Sequence, residues 1–176
     1  MFAGTGSDVG KSIIAAAFCR IFKQDGYQPA PFKAQNMALN SFATPEGLEI
    51  GRAQAVQAEA AGVPCHTDMN PLLLKPQSDH TSQVVLNGRP IGNRNAYDYF
   101  RKEGRDELRR EVCAAYDRLA ARYNPVVLEG AGSISEINLR DTDLVNLPMA
   151  LYAGADVILV GDIDRGGVFA SVYGSL

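Results

Sequence analysis

The sequence of 176 residues has no tryptophan, only three cysteines, and no excess of basic charge. Cys19, Cys65 and Cys113 form no Cys-x-x-Cys pair, which argues against a disulfide framework or a zinc cage and favours a reducing compartment. The formal net charge of -3 makes a nucleic-acid partner unexpected. No segment approaches the roughly 18 apolar residues that cross a bilayer. We therefore expect a cytoplasmic protein that binds neither nucleic acid nor a membrane.

The composition that remains is that of an ordinary globular protein, with 46% hydrophobic and 21% charged residues. A chain of this length predicts one domain, because domains of roughly 150 residues are typical. The sequence shows no internal repeat, no low-complexity tract and no interdomain linker. We therefore interpret residues 1–176 as a single domain.

Short apolar runs alternate with longer amphipathic runs along the chain. The short runs predict strands at Met1–Ala3, Pro29–Lys33, Gln83–Leu86, Pro125–Glu129 and Ala155–Gly161. The amphipathic runs predict helices at residues 10–25, 50–61, 94–123 and 144–153, and a last helix that starts at Gly167. This alternation is typical of an α/β fold, in which a doubly wound, mostly parallel sheet carries helices on both faces. Ligands of such sheets bind at the carboxyl ends of the strands.

The strongest functional signal is a glycine-rich loop between the first strand and the first helix, Gly4-Thr5-Gly6-Ser7-Asp8-Val9-Gly10-Lys11-Ser12. Glycines let backbone N–H groups approach an anion, and the helix N-terminus adds partial positive charge. In such a loop the lysine reaches the β- and γ-phosphates and the serine ligates Mg²⁺. Thr5 stands where the standard motif has its first glycine, and the alternative is a turn that only opens a helix. The residues that we expect to bind ATP are Gly6, Ser7, Asp8, Val9, Gly10, Lys11 and Ser12.

Carboxylates follow two of the predicted strands at the edge where this loop lies. Glu129 ends one strand, and we expect it to bind a metal ion or hold a water, since Mg²⁺ takes one or two protein carboxylates beside nucleotide phosphates. The alternative is a helix-capping or salt-bridged glutamate. Asp162 and Asp164 follow the last strand beside Arg165. Contact with substrate or metal and simple bracing of their loop remain equally open for these residues.

The loop resembles the modified phosphate loop of the dethiobiotin synthetase-like P-loop superfamily. Further strings resemble the N-terminal synthetase domain of the glutamine-hydrolysing cobyric acid synthase family. They are PFKAQNMALNS (31–41), EIGRAQAVQA (49–58), NPLLLKPQSD (70–79), SQVVLNGRPIG (82–92), VLEGAGS (127–133) and VGDIDRGGVFAS (160–171). These strings follow one another in the family's order and cover essentially the whole chain, so we identify the chain as similar to that domain, with a P-loop NTPase fold implied.

The resemblance implies an ATP- and Mg²⁺-dependent, amide-forming ligase of cobalamin biosynthesis. Enzymes of this family phosphorylate carboxylates of adenosylcobyrinic acid a,c-diamide, and ammonia then displaces phosphate to give adenosylcobyric acid, with four new amides. The ammonia comes from a C-terminal glutaminase domain whose nucleophilic cysteine lies in a Gly-x-Cys-x-Gly elbow. None of the three cysteines here has those neighbours. We therefore expect the chain to be a fragment that lacks this domain and has no glutaminase activity of its own.

The resemblance also assigns roles to single residues. Lys33 matches a second catalytic lysine near the γ-phosphate, beside Lys11, and Glu129 matches a metal-binding glutamate. Glu49 falls near the place where relatives carry an aspartate metal ligand, although the residue type differs. For each substrate-side residue the alternative is hydrogen bonding within a loop. The residues that we expect on the corrinoid side are Asn36, Asn40, Ser41, Gln54, Asp164 and Arg165.

Other readings of the sequence belong to different functional classes. One is a non-catalytic or switch-type P-loop ATPase, such as a partitioning ATPase, which carries an extra lysine early in the loop where this chain has Gly4 and Thr5. Another is a related carboxylate-activating enzyme, dethiobiotin synthetase or cobyrinic acid a,c-diamide synthase. The strings KAQN and DIDRGG argue against those two enzymes. The sequence leaves open whether the protein forms a homo-oligomer.

Overall fold

Parallel strands form the centre of the computed structural model, which describes residues 1–78, 81–95, 102–138 and 143–176. The strands are β1 (Phe2–Gly4), β2 (Ala30–Phe32), β3 (Gln35–Met37), β4 (Ser41–Ala43), β5 (Glu49–Gly51), β6 (Leu72–Pro76), β7 (Thr81–Leu86), β8 (Arg89–Asn95), β9 (Val126–Leu128) and β10 (Ile158–Val160). The helices are α1 (Lys11–Gln24), α2 (Arg52–Ala61), α3 (Lys102–Ala120), α4 (Leu147–Ala153) and α5 (Val168–Tyr173), with a short 3₁₀ turn at Thr67–Met69. No helix among the described residues is both long and apolar enough to cross a membrane.

The central strands run parallel, as the sequence predicts. β1 pairs with β10, and β2 pairs with β9, in parallel register. A parallel bridge between Phe2 and Glu129 joins the two pairs into the order β10-β1-β9-β2. The carboxyl ends of these four strands therefore meet at one edge, where the glycine-rich loop follows β1.

Two hydrophobic clusters cover the two faces of this sheet. On one face, Ala15 and Cys19 of α1 and Ala61 of α2 pack against Val127 of β9. On the other face, the next residue of β9, Leu128, packs with α3 and α4. The side chains of a strand alternate between its two faces, so consecutive residues enter different clusters. The predicted α/β architecture, with helices on both faces, is confirmed.

A second set of strands was expected only in part: the strand predicted at Gln83–Leu86 is β7, whereas β3, β6 and β8 were not expected. β3 pairs parallel with β6, and β6, β7 and β8 form an antiparallel meander. β8 contains one β-branched residue, Ile91, so its strand character comes from pairing with β7 and not from its own pattern. A two-residue turn at Asn87 (φ 48°) and Gly88 (φ 79°) enforces that pairing.

The expected helix at residues 94–123 is wrong at its first residues. Residues 94–95 belong to β8, residues 96–101 lie outside the described part of the chain, and α3 runs from Lys102 to Ala120. Residues 49–51 likewise form β5 before α2 begins at Arg52. In both places pairing with an antiparallel strand overrides the local pattern. The partner of β8 is β7, and the partner of β5 is β4.

Candidate active site

The glycine-rich loop presents the open N-terminus of α1. Asp8 (φ 58°) and Gly10 (φ 99°) adopt left-handed backbone conformations that turn the chain into the helix at Lys11. Ser7 and Asp8 are exposed at the tip of the loop, whereas Val9 packs against the hydrophobic cluster on the α1 face. The N-cap residue is Gly10, which has no side chain that could cap the helix. Its first amides are therefore available to an anion, and the helix dipole favours negative charge there.

Lys11 lies folded back over this loop with 6% of its surface exposed. Its Nζ donates hydrogen bonds to the carbonyl oxygens of Gly6 (2.7 Å) and Gly132 (2.8 Å). A Cβ at Gly4 would lie 2.7 Å from that Nζ, so glycine is needed there for close approach. Burial, and then the positive charge of Lys33, lower the pKa of Lys11 below its usual range. An anion in the loop would relieve both effects by supplying negative charge.

The carboxylate of Glu129, which is 1% exposed, is the centre of the site. Its Oε1 accepts hydrogen bonds from Ser12 Oγ and Lys33 Nζ, both at 2.7 Å. Its Oε2 accepts a hydrogen bond from Gln57 Nε2 at 2.6 Å and a longer one, at 3.5 Å, from Gln54 Nε2. The Glu129 carboxylate, at the end of β9, is therefore contacted from three other elements. They are the first turn of α1, the end of β2 and helix α2.

The structure thus brings together Ser12, Lys33 and Glu129, which the sequence placed in one site from separate arguments. It adds Gln57, which the sequence analysis did not single out. Gln57 and Gln54 lie three residues apart on an alanine-rich helix, and both side chains are fully buried. Since amide side chains are rarely buried without hydrogen-bond partners, two glutamines on the apolar face of a helix would have been a usable signal.

Asn36 and Gln54, two of the expected substrate contacts, belong to a buried amide network. Asn36 Nδ2 donates to Gln54 Oε1 at 3.1 Å. Asn70 accepts from the backbone N–H of Gly51 at 3.0 Å and donates to the carbonyl of Lys33 at 3.2 Å. This network ties the start of α2 to the end of β2, and so it fixes where Lys33 leaves the sheet. A direct substrate contact by Asn36 or Gln54 stays a prediction.

Glu49, the expected second metal ligand, forms an ion pair with Lys75. Lys75 Nζ also lies 3.5 Å from the hydroxyl of Ser41. Burial raises the pKa of Glu49, but the hydrogen bonds from Lys75 and Ser41 outweigh it, and the net pKa lies below the usual value. Among the described residues, no hydrogen bond or ion pair joins Glu49 to Ser12 or Glu129, so its metal role stays a prediction.

Asp162 holds the loop after β10 in shape. Its Oδ1 accepts the backbone N–H of Asp164 at 2.8 Å, and its Oδ2 lies 3.4 Å from Arg165 Nε. These are the bracing contacts that the sequence left as one alternative.

The side chain of Arg165 is 79% exposed. Asp164 and Asn40 are exposed as well, so all three can meet a ligand without rearrangement.

The loop that follows β9 is fastened to the glycine-rich loop. Asn146 exchanges two hydrogen bonds with the backbone of Ala131, at 3.0 and 3.1 Å. Ser133 Oγ donates to the carbonyl of Thr5 at 3.0 Å. These contacts hold Gly132, one of the two acceptors of Lys11, against the loop. Neither Ser133 nor Asn146 was singled out from the sequence, because their role depends on contacts between distant segments.

Comparison with known families places this geometry in context. The sequence model of the family described as "CobQ/CobB/MinD/ParA nucleotide binding domain" (CbiA) matches residues 1–176, which is the whole chain. That description covers proteins of several functions, so the individual relatives are needed to choose among them.

Three curated relatives of high identity carry the name cobyric acid synthase. The protein of Bacteroides fragilis (strain ATCC 25285) is 90% identical over 176 residues, which are 100% of this chain and 36% of that protein. The protein of Parabacteroides distasonis is 68% identical over 177 residues, covering 100% of this chain and 36% of its own length. The protein of Salmonella typhimurium (strain LT2) is 58% identical over 176 residues, covering 100% and 34%. The chain therefore spans about a third of the length of these curated relatives.

Proposed function

The chain belongs to the CobQ/CobB/MinD/ParA nucleotide-binding domain family, and from that premise we propose that it is the ATP-dependent synthetase part of a cobyric acid synthase. It would convert carboxylates of adenosylcobyrinic acid a,c-diamide into the amides of adenosylcobyric acid. The observation that supports the chemistry is the contact of Ser12 and Lys33 with one oxygen of Glu129, beside the open N-terminus of α1. The identity to proteins named cobyric acid synthase supports the choice of substrate.

The phosphate groups of ATP would occupy the glycine-rich loop. Backbone N–H groups of residues 6–12 and the ammonium of Lys11 would face the β- and γ-phosphates. Lys11 now bonds to two carbonyl oxygens of the surrounding loops, and it would exchange these neutral partners for charged phosphate oxygens. This exchange places its positive charge where negative charge develops during transfer of the γ-phosphoryl group.

The donor atoms at the site fit Mg²⁺. Glu129 offers a carboxylate and Ser12 a hydroxyl, both oxygen ligands, which is the set that Mg²⁺ takes beside nucleotide phosphates. Bound there, the ion would neutralise phosphate charge and orient the γ-phosphoryl group. Glu49 is a second candidate ligand, which would have to leave Lys75 to act.

Lys33 would link the two anions that must meet. A substrate carboxylate oxygen attacks the γ-phosphorus, the bond to the ADP oxygen breaks, and an acyl phosphate forms. Ammonia then attacks the acyl carbon, phosphate leaves, and a proton is lost to give the amide. The carboxylate and the γ-phosphate repel each other, and the ammonium of Lys33 between them would lower that repulsion.

The corrinoid would lie on the side of the loops that follow β3 and β10. The exposed side chains of Asn40, Asp164 and Arg165 are available for direct contact, and Ser41 follows Asn40 in the chain. Asn36 and Gln54 would act from the buried network below. Positive charge from Arg52, and from Lys75 if it leaves Glu49, would suit a substrate with several carboxylates. A glutaminase domain would supply ammonia in the cytoplasm.

The test is corrinoid-dependent turnover by the full-length enzyme with ammonium chloride in place of glutamine. We expect phosphate release that requires adenosylcobyrinic acid a,c-diamide, and amidated corrinoids detectable by mass spectrometry. The precursor of dethiobiotin and cobyrinic acid are tested separately, as the substrates of the two alternative enzymes. Turnover with either of these alone, or ATP hydrolysis indifferent to every carboxylate, would contradict the proposal.

A further inference from the structure

We propose that Gln57 is a positioning residue, which keeps the Glu129 carboxylate in place when Lys33 turns from it to the phosphates. This inference rests on the function proposed above. It adds a residue that neither the sequence motifs nor the family resemblance assigned. The argument depends on which atom of Glu129 each neighbour contacts.

The two oxygens of Glu129 have different partners. Oε1 accepts from the two groups that are expected to engage MgATP, Ser12 Oγ and Lys33 Nζ, both at 2.7 Å. Oε2 accepts from the amides of α2, with the short bond of 2.6 Å coming from Gln57. When ATP binds, the partners of Oε1 are drawn toward the nucleotide. The bond from Gln57 is then the short contact that stays on the carboxylate.

Gln57 is itself anchored to the phosphate loop helix. The same Nε2 atom donates to the carbonyl oxygen of Ser12 at 3.2 Å. Gln57, Ser12 and Glu129 therefore form a closed ring, because the hydroxyl of Ser12 contacts the other oxygen of Glu129. This ring spans α1, α2 and β9, three elements that are far apart in sequence. Gln57 therefore holds both Glu129 and the backbone of Ser12. In this way it would fix the distance between the two expected ligands of the Mg²⁺ ion, the Glu129 carboxylate and the Ser12 hydroxyl.

The chemistry of an amide suits this task. Gln57 donates hydrogen bonds without bringing positive charge, so the carboxylate keeps its full negative charge for a cation. The hydrogen bond to Glu129 also determines how the Gln57 amide is oriented, although this orientation leaves the amide oxygen without a donor. Gln57 Oε1 is buried and has no hydrogen-bond partner among the described residues. Leaving a buried acceptor unpaired is unfavourable, so this arrangement provides the carboxylate with a donor while the oxygen of the amide stays unpaired.

The experiment measures binding and does not need turnover. The full-length protein is titrated by calorimetry with a non-hydrolysable ATP analogue, once with excess Mg²⁺ and once with EDTA. Gln57→Met keeps the volume but removes the donor. We expect the variant to bind the analogue about 10- to 100-fold more weakly with Mg²⁺, the range found for groups that orient metal ligands. Affinity in EDTA is expected to remain that of the parent, because the phosphate contacts are untouched.

Two further variants separate positioning from a general packing defect. Gln54→Met removes an equally buried amide on the same helix, whose bond to Glu129 is the longer one, and a smaller Mg²⁺-specific loss is expected. In a Glu129→Gln background, Gln57→Met should change Mg²⁺ dependence little, because there is no charged ligand left to orient. Equal losses with and without Mg²⁺, or equal losses in both backgrounds, overturn the positioning role. A parent protein that binds no analogue under either condition instead contradicts the proposed function.

Discussion

Lys33 and Glu129 form a buried ion pair with 2.7 Å between Nζ and Oε1, although 96 residues separate them in the chain. Each is assigned a partner that carries charge of the opposite sign, phosphate for Lys33 and Mg²⁺ for Glu129. In the structure the two charges neutralise each other. Breaking a buried pair by removing one partner typically costs about 3–5 kcal/mol. In the function proposed above, MgATP would supply both replacement partners together, so its binding would separate the pair without leaving either charge unpaired.

Glu129→Gln is expected to weaken Mg²⁺-dependent nucleotide binding, because it removes a negatively charged oxygen ligand while it preserves shape. The measurement is a Mg²⁺ titration of nucleotide binding, followed by calorimetry. Glu59→Gln, an exposed glutamate on α2, is the matched control. If the titrations of Glu129→Gln and the parent coincide, Glu129 serves the structure alone.

Lys33→Met is expected to keep ATP affinity within a few-fold and to lose about 10²–10³ in carboxylate-dependent phosphate release, the loss typical of one electrostatic contact in the transition state. The readout is rapid-quench phosphate release by the full-length enzyme. Lys23→Met, on the exposed side of α1, is the matched control.

Stability must be followed in the same experiment, since Lys33→Met leaves the buried Glu129 without its cation. The double variant Lys33→Met/Glu129→Gln should recover thermal stability but not turnover. Activity that returns together with the melting temperature would show that Lys33 acts through folding.

Glu49→Gln is expected to lower the free energy of unfolding at neutral pH by about 0.2–1 kcal/mol, the usual range for an accessible ion pair. The net pKa of Glu49 is depressed, by hydrogen bonds from Lys75 and Ser41 that outweigh burial. Its contribution is therefore fully present above the ordinary value of 4.5 and is lost as the pH falls through the lower pKa of the folded state. Urea unfolding at neutral and acidic pH should show that the free energies of unfolding of the parent and of Glu49→Gln become equal in acid.

The same variant tests the metal role expected for Glu49. A variant with parental Mg²⁺ dependence but lower stability at neutral pH restricts Glu49 to its ion pair with Lys75, between β5 and β6. A variant with normal stability and weakened Mg²⁺-dependent nucleotide binding places it at the metal instead.

Gly4→Ala is expected to destabilise the unliganded protein, because the added Cβ would lie 2.7 Å from Lys11 Nζ and 2.9 Å from Lys11 Cδ and Gly6 O. Gly6→Ala is the comparison, since its Cβ would meet only Val9 Cγ1, at an ordinary 3.6 Å. Thermal unfolding without nucleotide should separate the two variants, with the larger fall in Gly4→Ala. An equal fall would mean that Lys11 adjusts without cost.

Local patterns were sufficient to predict the parts of the fold in which strands and helices bury continuous apolar surface. The β-branched residues of β9 and the helical spacing of α1 are examples, and the loop between β1 and α1 follows from its glycines. Of the β6-β7-β8 meander, only β7 was predicted this way, from Gln83–Leu86. Arg89 to Asn95 has few residues with β-propensity, and its pairing depends on the turn at Asn87 and Gly88.

The candidate site shows the same division between local and long-range information. Ser12, Lys33 and Glu129 could be proposed individually, because each follows a recognisable strand or loop. Their contact with one another, and the contribution of Gln57, depend on how α2 packs across the end of β9. The ion pair of Glu49 with Lys75 is likewise a contact between β5 and β6, which no spacing along the chain reveals.

Val127 and Leu128 enter opposite hydrophobic clusters, and Glu129 follows them directly. An insertion or deletion of a single residue within β9 would exchange the two faces, since side chains alternate along a strand. Val127 and Leu128 would then each meet the wrong layer of helices, and the carboxylate would shift by one position. The packing of Val127 and Leu128 in their two clusters therefore determines where the carboxylate of Glu129 lies. Variants of β9 that change length should lose folding and metal-dependent binding together, whereas conservative apolar exchanges at Val127 should spare both.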